Sequence, residues 1–103
     1  MDTQLRKGLL DVCVLAAIKE SDSYGYKIIK DLNPIITLSE STLYTILKRL
    51  IEVGMVTSRN EDYEGRTRRY YRITELGIER LNQFKIDGEE LLKVYKFIMG
   101  ENL

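Results

Sequence analysis

Apolar residues recur at helical spacing from the start of the chain. Leu5, Leu9, Val12, Cys13 and Ala16 predict a first helix from Thr3 to Lys19. Leu10, Val14 and Ala17 widen the apolar surface beyond one stripe, so this helix is expected to be covered on two sides, its own domain on one and a partner subunit on the other. Ser21-Asp22-Ser23 reads as a turn with N-cap residues. A short second helix follows from Tyr24 to Leu32, with Tyr24, Ile28 and Leu32 on one face. Asn33-Pro34 ends it, because a residue before proline disfavours helical geometry. The third helix is the best signalled. Ser39 is its expected N-cap, and Leu38 and Leu43 hold the positions of a hydrophobic staple. Leu43, Ile46, Leu47 and Leu50 point inward; Ser41, Thr45, Lys48 and Glu52 point outward, flanked by Tyr44 and Arg49. Gly54 is the expected stop.

Beyond Gly54 the interval changes. Met55 to Arg59 and Arg68 to Ile73 are β-compatible, and the polar, glycine-bearing run from Asn60 to Arg66 reads as the loop of a hairpin. In the second strand Tyr71 and Ile73 point one way, and Arg68, Tyr70 and Arg72 the other. Thr74 then caps a last helix, with Ile73 and Ile78 placed for a second staple. Along it Leu81, Phe84, Gly88, Leu91, Tyr95 and Ile98 follow alternating spacings of three and four, a coiled-coil-like seam. Gly88 interrupts that seam and predicts a kink or a close helix crossing. The result is mainly α with a small β-hairpin: a winged helix-turn-helix over residues 1–73 and a C-terminal dimerisation helix over 74–103. So small a domain cannot cover the whole seam of its last helix. A second copy is the simplest cover, and Leu5 and Leu9 of the first helix join the expected dimer interface.

Composition narrows the chemistry. The 103 residues, 44% hydrophobic and 31% charged, are those of one globular domain. The net charge is zero, yet four arginines fall between Arg66 and Arg72 with no acid among them, while Glu61, Asp62 and Glu64 gather just before. There is no histidine, no phosphate-cradling glycine motif and no cluster with metal-ligand spacing, so neither enzymatic chemistry nor a cofactor nor a metal is expected. The single Cys13 lies in an apolar run and reads as a structural thiol in a reducing compartment. No run approaches the ~18 apolar residues of a membrane span, and the N-terminus lacks the features of a signal peptide; a cytoplasmic protein is expected.

Two surfaces could carry function. Short polar side chains at the start of the third helix, Ser41, Thr42 and Thr45, would let it approach base edges. Tyr44 can donate to phosphate, and Lys48 and Arg49 can neutralise phosphates or bond guanine. In the hairpin, Gly65, Arg66, Arg68, Arg69 and Arg72 make a cationic wing suited to the DNA backbone or minor groove, with the tip acids turned away. Each surface alone could equally be a solvated face. A winged helix uses both on one side, which favours double-stranded DNA. The neutral net charge supports an alternative, a winged helix that binds proteins and not DNA.

Five fragments in order are similar to the PadR family of transcriptional regulators: Ser23-Tyr24-Gly25-Tyr26, Leu38 to Tyr44, Leu47-Lys48-Arg49-Leu50, Gly54-Met55-Val56, and Arg68 to Gly77. With a single helix after the wing, the chain resembles the family's shorter members. The resemblance implies a DNA-binding homodimer acting as a repressor on an inverted-repeat operator. It places Ser41, Thr42, Tyr44, Thr45 and Lys48 on a recognition helix and Gly65 to Arg69 on a wing, and it adds Ser23 and Tyr24 to the DNA-binding set. It also implies, for some members, release of DNA by a small aromatic ligand held between subunits. Val12, Ala16, Phe84, Leu92 and Tyr95 are the candidates for that pocket. The chain departs from such members in having no tryptophan, and Phe84 and Tyr95 read first as dimer packing.

Overall fold

A computed structural model describes residues 1–101, so the last two positions of the expected C-terminal segment lie outside it. Helix α1 spans Thr3–Ala17, started by the Asp2 carboxylate, which accepts from the backbone N–H groups of Gln4 and Leu5. It stops two residues short of the expected Lys19, because Ile18 leaves helical geometry (φ −117°, ψ 11°) and drops into the core at 1% exposure. Helix α2 spans Gly25–Leu32 and begins one residue later than expected. Its N-cap Tyr24 is extended, continuous with Ser23, which exchanges two backbone hydrogen bonds with Tyr71. Helix α3 spans Glu40–Glu52. Ser39 Oγ accepts from Thr42 N–H, and Leu38 and Leu43 are both buried as the staple requires. Gly54 ends the segment at φ +81°, a geometry glycine tolerates.

The hairpin departs from the sequence reading. Strand β1 runs Val56–Tyr63 and β2 runs Arg66–Ile73, paired antiparallel from Val56 opposite Ile73 to Tyr63 opposite Arg66. The seven-residue loop expected over 60–66 shrinks to Glu64-Gly65, both with positive φ (48° and 78°), the requirement of a tight type I′ turn. The strands go on past the core, so the outer residues carry no apolar alternation to signal them. Cross-strand neighbours hold them instead, Glu61 opposite Arg68 and Asn60 opposite Arg69.

Helix α4 spans Glu75–Ile98. The Thr74 hydroxyl caps it, accepting from Gly77 N–H and donating to the Gly54 carbonyl. Gly77 is buried where α4 meets the end of the hairpin; a Cβ there would lie 2.5 Å from the Met55 carbonyl oxygen and 2.6 Å from Ile73 Cγ1. Ile78 stays 45% exposed, so the second expected staple does not bury both its members. Nor does Gly88 break the helix: α4 is continuous through it, and the nearest side-chain atom to a Cβ there would be Phe84 Cε1, at 3.8 Å.

The core is built from Leu10, Val14, Leu15 and Ile18 of the first segment, Ile28 and Leu32 of α2, the inward face of α3, Val56 and Tyr71. Leu81 rests against this core, so the base of α4 belongs to the same packed body, and α4 lies along α1. Its outer half leaves that body, in a molecule 57 Å long and about 21–26 Å across. Among the described residues no helix is long and apolar enough to cross a membrane.

Candidate nucleic-acid interface

Helix α3 is fixed by burial of Leu43, Ile46, Leu47 and Leu50, which forces its other side outward. Ser41, Thr42, Tyr44, Thr45 and Lys48 are all exposed on that side. Thr45 Oγ1 donates to the Ser41 carbonyl at 3.0 Å, and the Ser39, Ser41 and Thr42 hydroxyls form a short chain of hydrogen bonds over the first turn. The hydroxyls at the helix start are thus oriented, with lone pairs still open. Tyr44 lies against α2: a Cβ on Gly25 would come within 2.6 Å of its hydroxyl oxygen, so glycine is what lets the phenol sit there. Glu52 stands at the far end of the exposed face, away from the hydroxyl-rich first turns.

A groove of about 960 Å³ separates α3 from the hairpin. Tyr44, Lys48 and Glu52 form one wall, and Tyr63, Arg66 and Arg69 stand on the other. Arg66 and Arg69 are exposed; Arg69 donates to Ser58 Oγ, a neutral partner, and keeps its charge available. Gly65 is exposed at the tip. Arg68 is differently employed. Its guanidinium carbon sits 3.6 Å from the Tyr63 ring centroid and 3.9 Å from that of Tyr24, between the two rings, and it donates to the Tyr70 hydroxyl at 3.4 Å. Tyr70 in turn meets Tyr24 edge to face at 5.8 Å, and Arg59 lies over Tyr70 at 5.2 Å. Five side chains therefore form one continuous cluster, Tyr63–Arg68–Tyr24–Tyr70–Arg59, each cation–π contact contributing roughly 0.5–1 kcal/mol. Tyr63, Tyr70 and Arg59 are the members that the sequence did not single out: their roles depend on strand register, which puts Arg59, Tyr63, Arg66, Arg68 and Tyr70 on one face.

The base of the hairpin is tied by charge. Asp22, in the turn between α1 and α2, accepts from Arg72 Nε at 3.0 Å and from Arg59. The Arg72 hydrogen bond outweighs partial desolvation and, with Arg59, holds the Asp22 carboxyl below its ordinary 3.8. Four expected DNA-binding residues are buried or otherwise engaged. Ser23 is 2% exposed and serves as a backbone bridge to Tyr71, with its hydroxyl unpartnered among the described residues. Arg49 is half-buried in an ion pair with Asp11. Arg68 is committed to its aromatic sandwich, and Tyr24 to the same stack, half-buried.

The other sequence-predicted sites fall on α1 and α4. Leu5, Leu91, Tyr95 and Ile98 are 50%, 54%, 53% and 75% exposed, large apolar side chains without cover in a single chain, whereas Leu9, Phe84 and Gly88 are half-buried and Leu81 faces its own core. Of the residues expected to hold an aromatic ligand, Val12 is buried within the chain and Ala16, Leu92 and Tyr95 are exposed; neither groove beside α3 is lined by any of them. Burial pushes the half-buried Cys13 thiol above its ordinary 9.0, in the direction that disfavours the thiolate.

Comparison with known proteins places the chain in a family and a fold. The model of the transcriptional regulator PadR-like family matches residues 14–83. An uncharacterized protein of Lysinibacillus sphaericus is 32% identical over 98 residues, 90% of each chain. Among solved structures, a PadR family transcription regulator from Clostridium difficile superposes with a TM-score of 0.82 at 27% identity, over 87% of this chain and 97% of that one. Bacillus subtilis PadR, solved in complex with operator DNA, shares the fold with a TM-score of 0.71 at 22% identity, over 76% of this chain and 47% of that longer one.

Proposed function

Because this chain belongs to the PadR-like family of transcriptional regulators, we propose that it is a repressor that binds an inverted-repeat DNA operator as a homodimer. The observation that carries the reading is an exposed, hydroxyl-rich start of α3 at Ser41, Thr42 and Thr45, beside a groove across which Tyr44 and Lys48 of the same helix face Arg66 and Arg69. A helix start bearing Ser41, Thr42 and Thr45 fits the major groove. Tyr44 and Lys48 are placed for flanking phosphates, and the wing arginines for the backbone or minor groove beside it. That a protein of the same fold has been solved on operator DNA lends support. The apolar outer half of α4, exposed in one chain, supports pairing with a second copy. Two reading helices about one DNA turn apart would then meet two half-sites, and bound protein would block polymerase.

In the same reading a small aromatic effector sits between subunits against Phe84, Leu92 and Tyr95. It releases DNA only by binding one separation of the reading helices better than the other.

The test is a mobility shift on the region upstream of the protein's own gene. A sequence-selective shift at moderate salt that weakens in the Arg66→Ala, Arg69→Ala double variant is the expected result. No selective shift, together with protein partners captured through the same face, would establish a protein-binding winged helix instead.

A further inference from the structure

The cations assigned to DNA so far, Lys48, Arg66 and Arg69, lie on the side of α3 that faces the hairpin. The other side borders a second groove, of about 390 Å³, between α3 and the first turns of α1. Its floor is Leu10 and Ile46, both buried; its rim carries Arg6 and Lys7 from α1 and Ser41, Thr42 and Thr45 from α3. We propose that this groove seats phosphates of the DNA backbone, with Lys7 and Arg6 as the cations, so that the reading helix is flanked by positive charge on both sides. The inference rests on the DNA-binding reading and extends it to residues on α1.

Three observations carry it. The first is charge balance. Asp11, one turn from Lys7 on α1, is answered by Arg49, and Asp2, whose carboxylate accepts from two backbone N–H groups at the helix start, pairs with neither Arg6 nor Lys7 among the described residues. Lys7 makes no ion pair among the described residues, and Arg6 donates only to the Thr37 carbonyl, a neutral acceptor that orients the guanidinium without cancelling it. Neither cation is tied to an acid among the described residues. The second is position. Ser41 and Thr42 belong to both the groove rim and the start of the exposed face, so a phosphate held here would lie next to the bases that face reads. Glu40, in the same first turn, lines the opposite groove and not this one. The third is compatibility with a dimer. Thr3, Arg6, Lys7 and Leu10 recur at spacings of three and four on one side of α1, while Leu5, Leu9 and Ala16 lie on the other. The cations and the expected subunit contact do not compete for the same surface.

The experiment measures binding of the full chain to two fluorescent duplexes, one from its own upstream region and one of mixed sequence, over a series of salt concentrations. Lys7 is exposed, so Lys7→Ala leaves the fold intact. It is expected to weaken both duplexes by the same factor, about three- to tenfold, and to reduce the salt slope by about one. Lys7→Arg, which keeps the charge, should bind like the parent, and Lys7→Glu should bind more weakly than Lys7→Ala. Arg66→Ala serves as the comparison on the other flank. If Lys7→Ala keeps the parent affinity and slope while Arg66→Ala loses both, the groove is no phosphate seat and the DNA reading survives without it. If the parent chain binds neither duplex even at low salt, the DNA reading itself fails and takes this proposal with it.

Discussion

At Gly77 there is no room for a methyl group. A Cβ would meet the Met55 carbonyl at 2.5 Å, and backbone cannot swing aside as a side chain can. Gly77→Ala is expected to lower stability by about 1–3 kcal/mol, the usual cost of forced overpacking, seen as an earlier midpoint in urea. Asp22 offers a test by pH. Its carboxyl is held below 3.8 chiefly by the Arg72 hydrogen bond, so the charged form stabilises the folded state above 3.8, and that contribution disappears as pH falls through the lower, folded value. Asp22→Asn should therefore melt earlier than the parent at pH 7, with the gap narrowing below pH 3.8; a gap constant down to pH 3 would count against the two-arginine tie. Neither role could be read from the sequence. Gly77 stood in a motif without a stated cause, and Asp22 looked like an N-cap because its partners, Arg59 and Arg72, are 37 and 50 residues away. The arginines of the wing were legible as a cationic cluster. Which of them is free was not, since that depends on Tyr24 and Tyr63 closing around Arg68.

Among the elements, those governed by local chemistry were the most legible. Ser39, Leu38 and Leu43 announce the start of α3, and the structure realises each contact the motif requires. The hairpin was legible only at its base, where Val56, Tyr71 and Ile73 meet the core. Farther out, polar residues pair with polar residues, and periodicity carries no information. Its tip also breaks the usual chemistry of a tight turn: Glu64 adopts φ 48°, where asparagine or glycine is favoured. Glu64→Asn is expected to raise the melting temperature by a few degrees, since a non-glycine residue held left-handed costs on the order of 1 kcal/mol. It also removes an acid beside Arg66, so affinity for DNA should rise slightly at low salt. A lower melting temperature would mean that the turn is set by something other than its own backbone.

For the molecule as a whole, the decisive feature is how much apolar surface α4 leaves in water. Ile86, Leu91, Leu92, Val94, Tyr95, Phe97 and Ile98 are each about half exposed or more. Leu91→Asp is expected to reduce the mass in solution to that of one 12.0 kDa chain and to abolish selective DNA binding, since one reading head holds only a half-site. Light scattering checks it, and a parent chain that is already monomeric at micromolar concentration would remove the basis for paired heads. The helical spacing of the apolar residues on α4 was legible, but the chain's own use of Leu81 was not, because spacing does not say where a helix leaves its domain. The two eight-residue strands have one further consequence. Closed by only two residues and clamped at the root by Asp22, they form a stiff arm about 26 Å long. At that length a swivel of about 5° at the root carries the tip through about 2 Å, enough to move an arginine out of hydrogen-bond reach of a phosphate. A disturbance at the α1–α2 turn is thereby expected to reach the wing tip as an amplified displacement.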